Sequence, residues 1–452
     1  MGYFIKKTIG VLLVNEKSTS ELNKLFDNPE YTDTYHIKEI YFDCTSTGSF
    51  NFFHKLLTGL VRKIHLFFHL ATIWKNRDCT LNFKLKAYNM LGTHLQAKNY
   101  SSFTVHEELR MHFFKRTIIK MFGNLLGITF LNKLILLLFR VKRSFQPNLL
   151  RGLDFLIVMH GGRISLEQDY LIWFARSKSI TTIAIQENWD NLSSKSFLYQ
   201  HPDCFATWGE QSTLHLKQIH NYKGITYEVG SRRLNVFFHY RNLLLQQNKL
   251  LNSSIKSTDH AKKILLIGSG DGLHDFKIAS ECKSLIDQNQ KFFSSDYVIV
   301  YRPHPYGLNL KENIQKFKSL SCVTVDIPSK NEDDTYRVEL ILNSQVVISL
   351  YSTMILESCI LNKPCLIPSF IENSWNFKTS RFLDTAEHYL GMSDLEGLFN
   401  PDSSEEFVDI IKLIDTNKLL PLNNAKVINW FCSEVNTSKA LYDLIDRSLT
   451  KN

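Results

Sequence analysis

No C-x-x-C pair occurs in this sequence, and its eight cysteines (Cys44, Cys79, Cys204, Cys282, Cys322, Cys359, Cys365 and Cys432) are scattered over 452 residues. Several lie inside apolar runs such as "ESCILNKPCLIP". That pattern excludes a disulfide framework and a cysteine zinc site, and reads as buried thiols in a reducing compartment. There is no low-complexity tract, no internal repeat, no H-E-x-x-H, no G-x-S-x-G and no cluster of metal-binding carboxylates. Zincin chemistry and a hydrolase nucleophile elbow are thereby set aside, and no metal site or cofactor is expected. Long hydrophobic runs are missing too. The longest charge-free run within 113–143, Met121 to Asn132, has 12 residues, against about 20 for a membrane span. The start, "MGYFIKKTIGVLLVNEK", lacks a small-residue cleavage site and reads as a first strand, so a cytoplasmic location is expected.

Acidic residues are scarce in one region. Residues 51–143 hold 16 basic and 3 acidic side chains. The first 150 residues carry a balance of +11, the remainder −2, so the net charge of +9 belongs to the N-terminal third. There, "FNFFHKLLTGLVRKIHLFFHLATIWK" (50–75) and "FFKRTIIKMFGNLLGITFLNKLILLLFRVKR" (113–143) thread cations among large apolar residues at roughly helical spacing. Two readings stay open: basic amphipathic helices in an anionic membrane interface, peripheral to the inner membrane, or core helices with basic outer faces. No nucleic-acid-binding signature accompanies the charge, and no nucleic-acid partner is expected.

What is present is an alternation of strands and helices. Apolar, β-branched runs at 8–14, 37–44, 153–160, 180–186 and 203–209 alternate with helical patterns at 50–75, 104–122, 166–177 and 210–220. After a polar stretch at 251–261 that reads as an interdomain linker, a strand-to-loop unit at 262–272 and strands at 296–305, 323–328, 345–352 and 363–370 alternate with helices at 273–287, 310–319, 334–343 and 353–361. Such alternation predicts α/β architecture: two doubly wound, Rossmann-like domains facing a cleft, residues 1–250 and 262–452. A last helix near 438–448 is placed as able to return to the N-terminal domain.

In doubly wound sheets ligands bind beyond the carboxyl ends of the strands, and the unusual polar clusters fall there. "QENWDNLSSK" (186–195) offers an amide, two carboxylates, two Asn, an indole and an ammonium directly after a strand. "GSGDG" (268–272) brings Gly268, Ser269, Gly270 and Asp271, with glycines that let backbone approach a ligand. It is neither G-x-G-x-x-G nor a P-loop. "YRPHP" pairs Arg302 and His304 on a chain stiffened by Pro303 and Pro305, where a guanidinium fork and an imidazole can neutralise a diphosphate. In "SLYSTMILESC", Ser352 or Thr353 is placed to cap a helix opening at Met354, with Glu357 one turn on as a ribose-diol acceptor. Each cluster also has a plain reading: an N-cap with a solvated Glu, a structural histidine, a turn whose side chains cap its own backbone.

"RPHP" followed about 45 residues later by "SLYSTMILESCILNKPCL" resembles the C-terminal domain of GT-B-type transferases of bacterial surface-polysaccharide biosynthesis. This group includes the Kdo transferases, the sialyl- and polysialyltransferases and the CDP-glycerol glycerophosphotransferases. "QENWDNLSSK…PDCFATWGEQS…VGSRR" resembles the N-terminal half of surface-carbohydrate proteins of the same clan. The likeness covers roughly residues 150–370; residues 1–150 carry none. It implies a nucleotide-sugar donor held through His304, Ser352 and Thr353 at the phosphate and Glu357 at the ribose. It also implies a glycan or lipid-linked glycan acceptor on the N-terminal domain. Gln186, Asn188, Trp189, Asn191 and Arg232 are the expected acceptor ligands. Glu187 or Asp190 is the candidate general base, and Lys195 offsets charge on the departing nucleotide. The acidic-Asp-Gly motif of the sialyltransferases is missing from the N-terminal half, and Asp271-Gly272 lies in the other domain. The expected activity is metal-independent glycosyl transfer in capsule, O-antigen or lipopolysaccharide synthesis, with a CMP-sugar favoured. Rivals on the same fold are a CDP-polyol phosphotransferase, a sugar-nucleotide epimerase and a non-catalytic scaffold of the assembly machinery.

Overall fold

The computed structural model describes residues 6–13, 26, 29–41, 150–160, 166–195, 198, 200–218, 220, 222–250, 263–268, 272–289, 297–303, 310–328, 334–349, 352–374, 387–415 and 424–449. The basic segments at 50–75 and 113–143 and the polar stretch at 251–261 lie outside them. The chain divides into two units, Met1–Arg232 with Phe431–Asn452, and Arg233–Trp430. The division falls at 232/233, inside a helix.

The first unit is built on six parallel strands: β1 (Lys7–Leu13), β2 (Tyr35–Tyr41), β3 (Phe155–His160), β4 (Thr181–Gln186), β5 (Cys204–Thr207) and β6 (Ile225–Glu228), in the order β2-β1-β3-β4-β5-β6. Helices α1 (Pro29–Thr34), α2 (Leu166–Ser177) and α3 (Glu210–Gln218) connect them. "FLIVMH" forms β3 because a central strand covered on both faces needs an uninterrupted apolar run, and all six residues are buried. Alternate residues go to opposite faces. Phe155, Ile157 and Met159 join one core with Ile9, Val11, Ile183 and Ile185. Leu156 and Val158 join the other with Leu12, Ala184, Phe205 and the inner sides of α2 and α3 (Leu171, Ile172, Ala175, Leu216). The first core is closed by the last helix of the chain, Thr437–Leu449, through Leu441, Leu444 and Ile445.

The second unit holds β7 (Lys263–Ile267), β8 (Val298–Arg302), β9 (Val323–Val325), β10 (Val346–Ser349), β11 (Cys365–Leu366) and β12 (Leu398–Phe399). All pairs are parallel, in the order β12-β11-β10-β7-β8-β9. Counted within the unit this is 6-5-4-1-2-3, the Rossmann order, whose reversal lies between β7 and β10. The helices are α4 (Arg232–Leu250), which starts at the division, α5 (Gly272–Gln288), α6 (Leu310–Lys318), α7 (Asp334–Leu342), α8 (Met354–Ile360), α9 (Ser404–Asp415) and α10 (Ala425–Phe431); Thr437–Leu449 is α11. Both units therefore carry the doubly wound parallel sheet that the alternation predicts.

Several ends have local causes. Ser403 accepts the Glu406 amide at 3.1 Å while the Glu406 carboxylate accepts the Asp402 amide at 2.8 Å, which fixes the start of α9. Asn436 caps α11 through the Lys439 amide at 3.0 Å. Gly230 has φ +68°, and a Cβ there would meet the Ser433 carbonyl oxygen at 2.5 Å. The glycine of "VGSRR" is thus the condition for the chain's return at 431–436 to lie against the end of β6.

Of the described cysteines, Cys204, Cys282, Cys359, Cys365 and Cys432 are buried and unbridged, and Cys322 is exposed. Burial raises the Cys282 and Cys359 thiols to about 12. Among the described residues no helix is long and apolar enough to cross a membrane.

Candidate functional site

In the first unit the polar run after β4 turns back on itself. Gln186 is buried; its side-chain amide donates to the carbonyls of Asn188 and Trp189 at 2.9 and 3.1 Å, and its side-chain oxygen accepts the Trp208 amide at 3.0 Å. The Trp208 indole N–H donates to the Gln186 carbonyl at 3.0 Å. Asn191, fully buried, donates to the His160 carbonyl at 2.7 Å, tying the turn to the end of β3. Trp189 is buried, with its ring 6.0 Å from Phe431.

Gln186, Trp189 and Asn191, expected from the sequence as acceptor ligands, are all buried. A polar group withdrawn from water must be satisfied: Gln186 satisfies carbonyls of its own loop and the Trp208 amide, and Asn191 the carbonyl of His160. The half-buried positions are Glu187, Asn188 and Asp190. Lys195 closes one π-helical turn, Asn191–Lys195. Arg232 is half-buried at the first position of α4.

Behind this loop sits a histidine that the sequence did not single out. His220 is fully buried; Nδ1 accepts the Leu198 amide at 3.2 Å, and Nε2 lies 2.8 Å from the Leu192 carbonyl. Those partners require the neutral ring with its proton on Nε2. Burial, partly offset by the Leu192 hydrogen bond, lowers its pKa to about 3, with His160, His201 and His215 adding repulsion. Burial alone lowers His160, at the end of β3 with its ring 5.4 Å from Phe205, to about 3.

In the second unit the candidate donor residues collect at the carboxyl ends of the three central strands. The Gly268 amide, just past β7, donates to the Arg302 carbonyl at the end of β8 at 2.7 Å. Ser349 closes β10 beside Ile267 of β7, and its hydroxyl lies 2.9 Å from that of Ser352. Gly268, Arg302, Ser349 and Ser352 thus share one edge of the sheet, across the point where strand order reverses. Of the two proposed caps of α8, Ser352 touches the helix, its Oγ accepting the Met354 amide at 3.3 Å. Thr353 makes no side-chain cap, having helical φ and ψ already; its carbonyl accepts the Glu357 amide at 3.0 Å. Ser269, Gly270, Asp271 and His304 lie outside the described residues.

Arg302 and Glu357 differ from the open ligands that the sequence suggests. Arg302 is buried, ion-paired to Asp326, with its guanidinium 5.7 Å from the Tyr336 ring centre; the Tyr336 hydroxyl donates to the other Asp326 oxygen at 2.9 Å. Glu357 is 0% exposed, so the solvated carboxylate of the plain reading is corrected. Its Oε1 takes Arg337 at 3.2 Å, with Arg233 at 3.8 Å. Its Oε2 is buried with no hydrogen-bond partner. Arg337 is itself held by Asp334 at 2.9 Å and lies over the Phe237 ring at 5.6 Å. Asp326, Tyr336 and Arg337 were missed because their contacts are distant in sequence. The single local signal was the Asp334–Arg337 i,i+3 spacing at the start of a helix. Among the described residues no group of three or more His, Cys, Asp or Glu is placed to hold a metal ion.

No protein-family model and no curated protein matches this sequence. Among solved structures, the chain is similar to the UDP-GlcNAc 2-epimerase of Methanocaldococcus jannaschii in complex with UDP-GlcNAc and UDP, with TM-score 0.48 and 11% identity over 97% of this chain and 99% of that one. It is similar to the UDP-GlcNAc 2-epimerase of Neisseria meningitidis bound to UDP-GlcNAc, with TM-score 0.46 and 13% identity over 99% of this chain and 100% of that one. It is also similar to the wall teichoic acid polymerase TagF, with TM-score 0.38 and 18% identity over 66% of this chain and 73% of that one.

Proposed function

We propose that this chain is a GT-B-type glycosyltransferase that moves a sugar from a nucleotide-activated donor, a CMP-sugar favoured, to a carbohydrate hydroxyl in surface-polysaccharide synthesis. The observation that carries the reading is the strand reversal between β7 and β10, with Gly268, Ser349 and Ser352 at its rim. In sheets of this order that is where a nucleotide's phosphates lie. The likeness of "RPHP" and "SLYSTMILESC" to donor-binding motifs supports the same edge.

The proposed chemistry is direct displacement. Glu187 or Asp190 takes the proton of the acceptor hydroxyl, whose oxygen attacks the anomeric carbon. The bond from that carbon to the phosphate oxygen breaks, and the nucleotide leaves with the electron pair. His304, Arg302 and Lys195 are the candidate cations to offset the leaving charge in place of a metal ion. Asp271 is kept as a second candidate base or sugar ligand. The basic segments at 50–75 and 113–143 would draw the enzyme to anionic lipid, where lipid-linked acceptors reside.

The test is a product analysis with CMP-, UDP-, GDP- and CDP-activated donors, each with and without a lipid-linked glycan. Acceptor-dependent appearance of a new glycoside with release of free nucleotide is expected. A polyol phosphate on the acceptor would replace this reading with phosphotransfer. A changed sugar-nucleotide without acceptor would replace it with epimerisation, and no turnover of any donor would leave the scaffold.

A further inference from the structure

The first turn of α7 was not among the motifs singled out in the sequence, yet it touches two separated donor candidates. One side chain of that turn reaches the end of β9: the Tyr336 hydroxyl donates to Asp326 at 2.9 Å, and Asp326 is ion-paired to Arg302 at the end of β8. The next side chain reaches α8: Arg337 donates to Glu357 Oε1 at 3.2 Å. Arg337 is itself clamped, by Asp334 at 2.9 Å within the turn and by the Phe237 ring 5.6 Å beneath it. Arg302 and Glu357 lie 55 positions apart in the sequence and belong to different elements. Two adjacent residues of one helical turn thus reach Asp326, the partner of Arg302, and Glu357.

We propose that Tyr336 and Arg337 are positioning residues of the donor site, setting the guanidinium of Arg302 and the carboxylate of Glu357 for a nucleotide. The inference rests on the functional reading above, in which those two side chains meet the donor. Its chemical content is a division of labour. Arg337 occupies Oε1 of Glu357, so the second oxygen, buried and without a partner, is the one left to accept a ligand hydroxyl. A carboxylate oxygen without a donor in a buried site is unfavourable, and a ribose hydroxyl supplies the missing hydrogen bond. Tyr336 acts instead through Asp326, restraining the guanidinium that would meet phosphate. Loss of the Arg337 contact should therefore erase discrimination at the ribose. Loss of the Tyr336 hydroxyl should erode the phosphate contribution.

The experiment is isothermal titration of the full chain with CMP, CDP, UDP and GDP. The nucleotide that binds is then compared with its 2′-deoxy form and with its nucleoside. In the wild type, removing a hydroxyl bonded to a carboxylate should weaken binding roughly tenfold or more. In Arg337→Gln that ratio should fall to near one, while the nucleotide-to-nucleoside ratio stays close to wild type. Arg337→Lys, which keeps the cation, should restore part of the ribose ratio. Tyr336→Phe, which keeps the ring, should lower the nucleotide-to-nucleoside ratio and leave the ribose ratio intact. A merely structural role would change overall affinity or melting temperature and leave both ratios unchanged, and that result overturns the inference. Should Arg337→Gln not fold, Arg337→Lys and Tyr336→Phe still decide it, because unchanged ratios in both contradict positioning. No binding of any nucleotide by the wild type sinks the functional reading itself and this inference with it.

Discussion

Acidification from pH 7.5 to 5.5 should weaken the first unit well before its carboxylates titrate. His160 and His220 are both buried, and in the folded chain both are lowered from 6.5 to about 3. A base whose folded pKa lies below its unfolded value contributes stability that is complete above the unfolded pKa. That stability is lost as pH falls from 6.5 towards 3, because only the unfolded chain takes up the proton in that window. One pH unit below 6.5, each histidine costs about 1.4 kcal/mol, so the pair costs about 3 kcal/mol at pH 5.5. The groups facing His220 offer no relief, since His160, His201 and His215 are all of the same potential sign.

Protonation at Nδ1 would also set two donors against each other, the new N–H and the Leu198 amide, 3.2 Å apart. The segment 192–198 should therefore open first. Hydrogen-exchange mass spectrometry on peptides covering β3 to β5 and residues 187–198, corrected for the intrinsic pH dependence of exchange, reads this directly. His220→Gln should be less stable at pH 7.5 but should lose about half of the pH-dependent change. An identical loss of protection in wild type and His220→Gln would refute the reasoning, as would no loss by pH 5.5.

Gly230→Ala should destabilise the first unit by more than about 1 kcal/mol in urea unfolding, because φ is +68° and the new methyl would sit 2.5 Å from the Ser433 oxygen. Gln186→Leu should cost about 1–3 kcal/mol of stability by the same assay, because it strands the buried Trp208 amide. Arg337→Met should cost about 3–5 kcal/mol by leaving the Glu357 carboxylate buried without its 3.2 Å partner. Arg337→Met combined with Glu357→Leu should regain most of that loss in the same unfolding measurement.

How far the sequence foretold the molecule depended on the range of the interactions involved. Central strands such as "FLIVMH" were legible because burial on both faces requires a continuous apolar run. β6 and the two-residue β12, the edges of their sheets, were not read as strands, while the two-residue β11 was placed only within the longer 363–370. Edge strands have exposed faces, as in "ITYE", and two residues have no period. The polar crowd at 186–195 was visible, but its purpose was not. Whether Gln186 faces a ligand or the Trp208 amide depends on a partner 22 residues away. Similarly, Arg302 and Glu357 stood out as strand-end and helix residues. Their partners Asp326, Tyr336 and Arg337 are brought to them by sheet order and carry no motif of their own.

A nucleotide at the β7/β10 reversal is the centre of the proposed function. The measurement that tests it most directly is calorimetric binding of CMP, CDP, UDP and GDP to wild type, His304→Ala and Ser352→Val. Tight binding of one nucleotide, CMP favoured, that falls at least tenfold in both variants is the predicted result. Undiminished binding in both variants would contradict the placement of the donor, and no binding of any nucleotide would contradict the proposed activity.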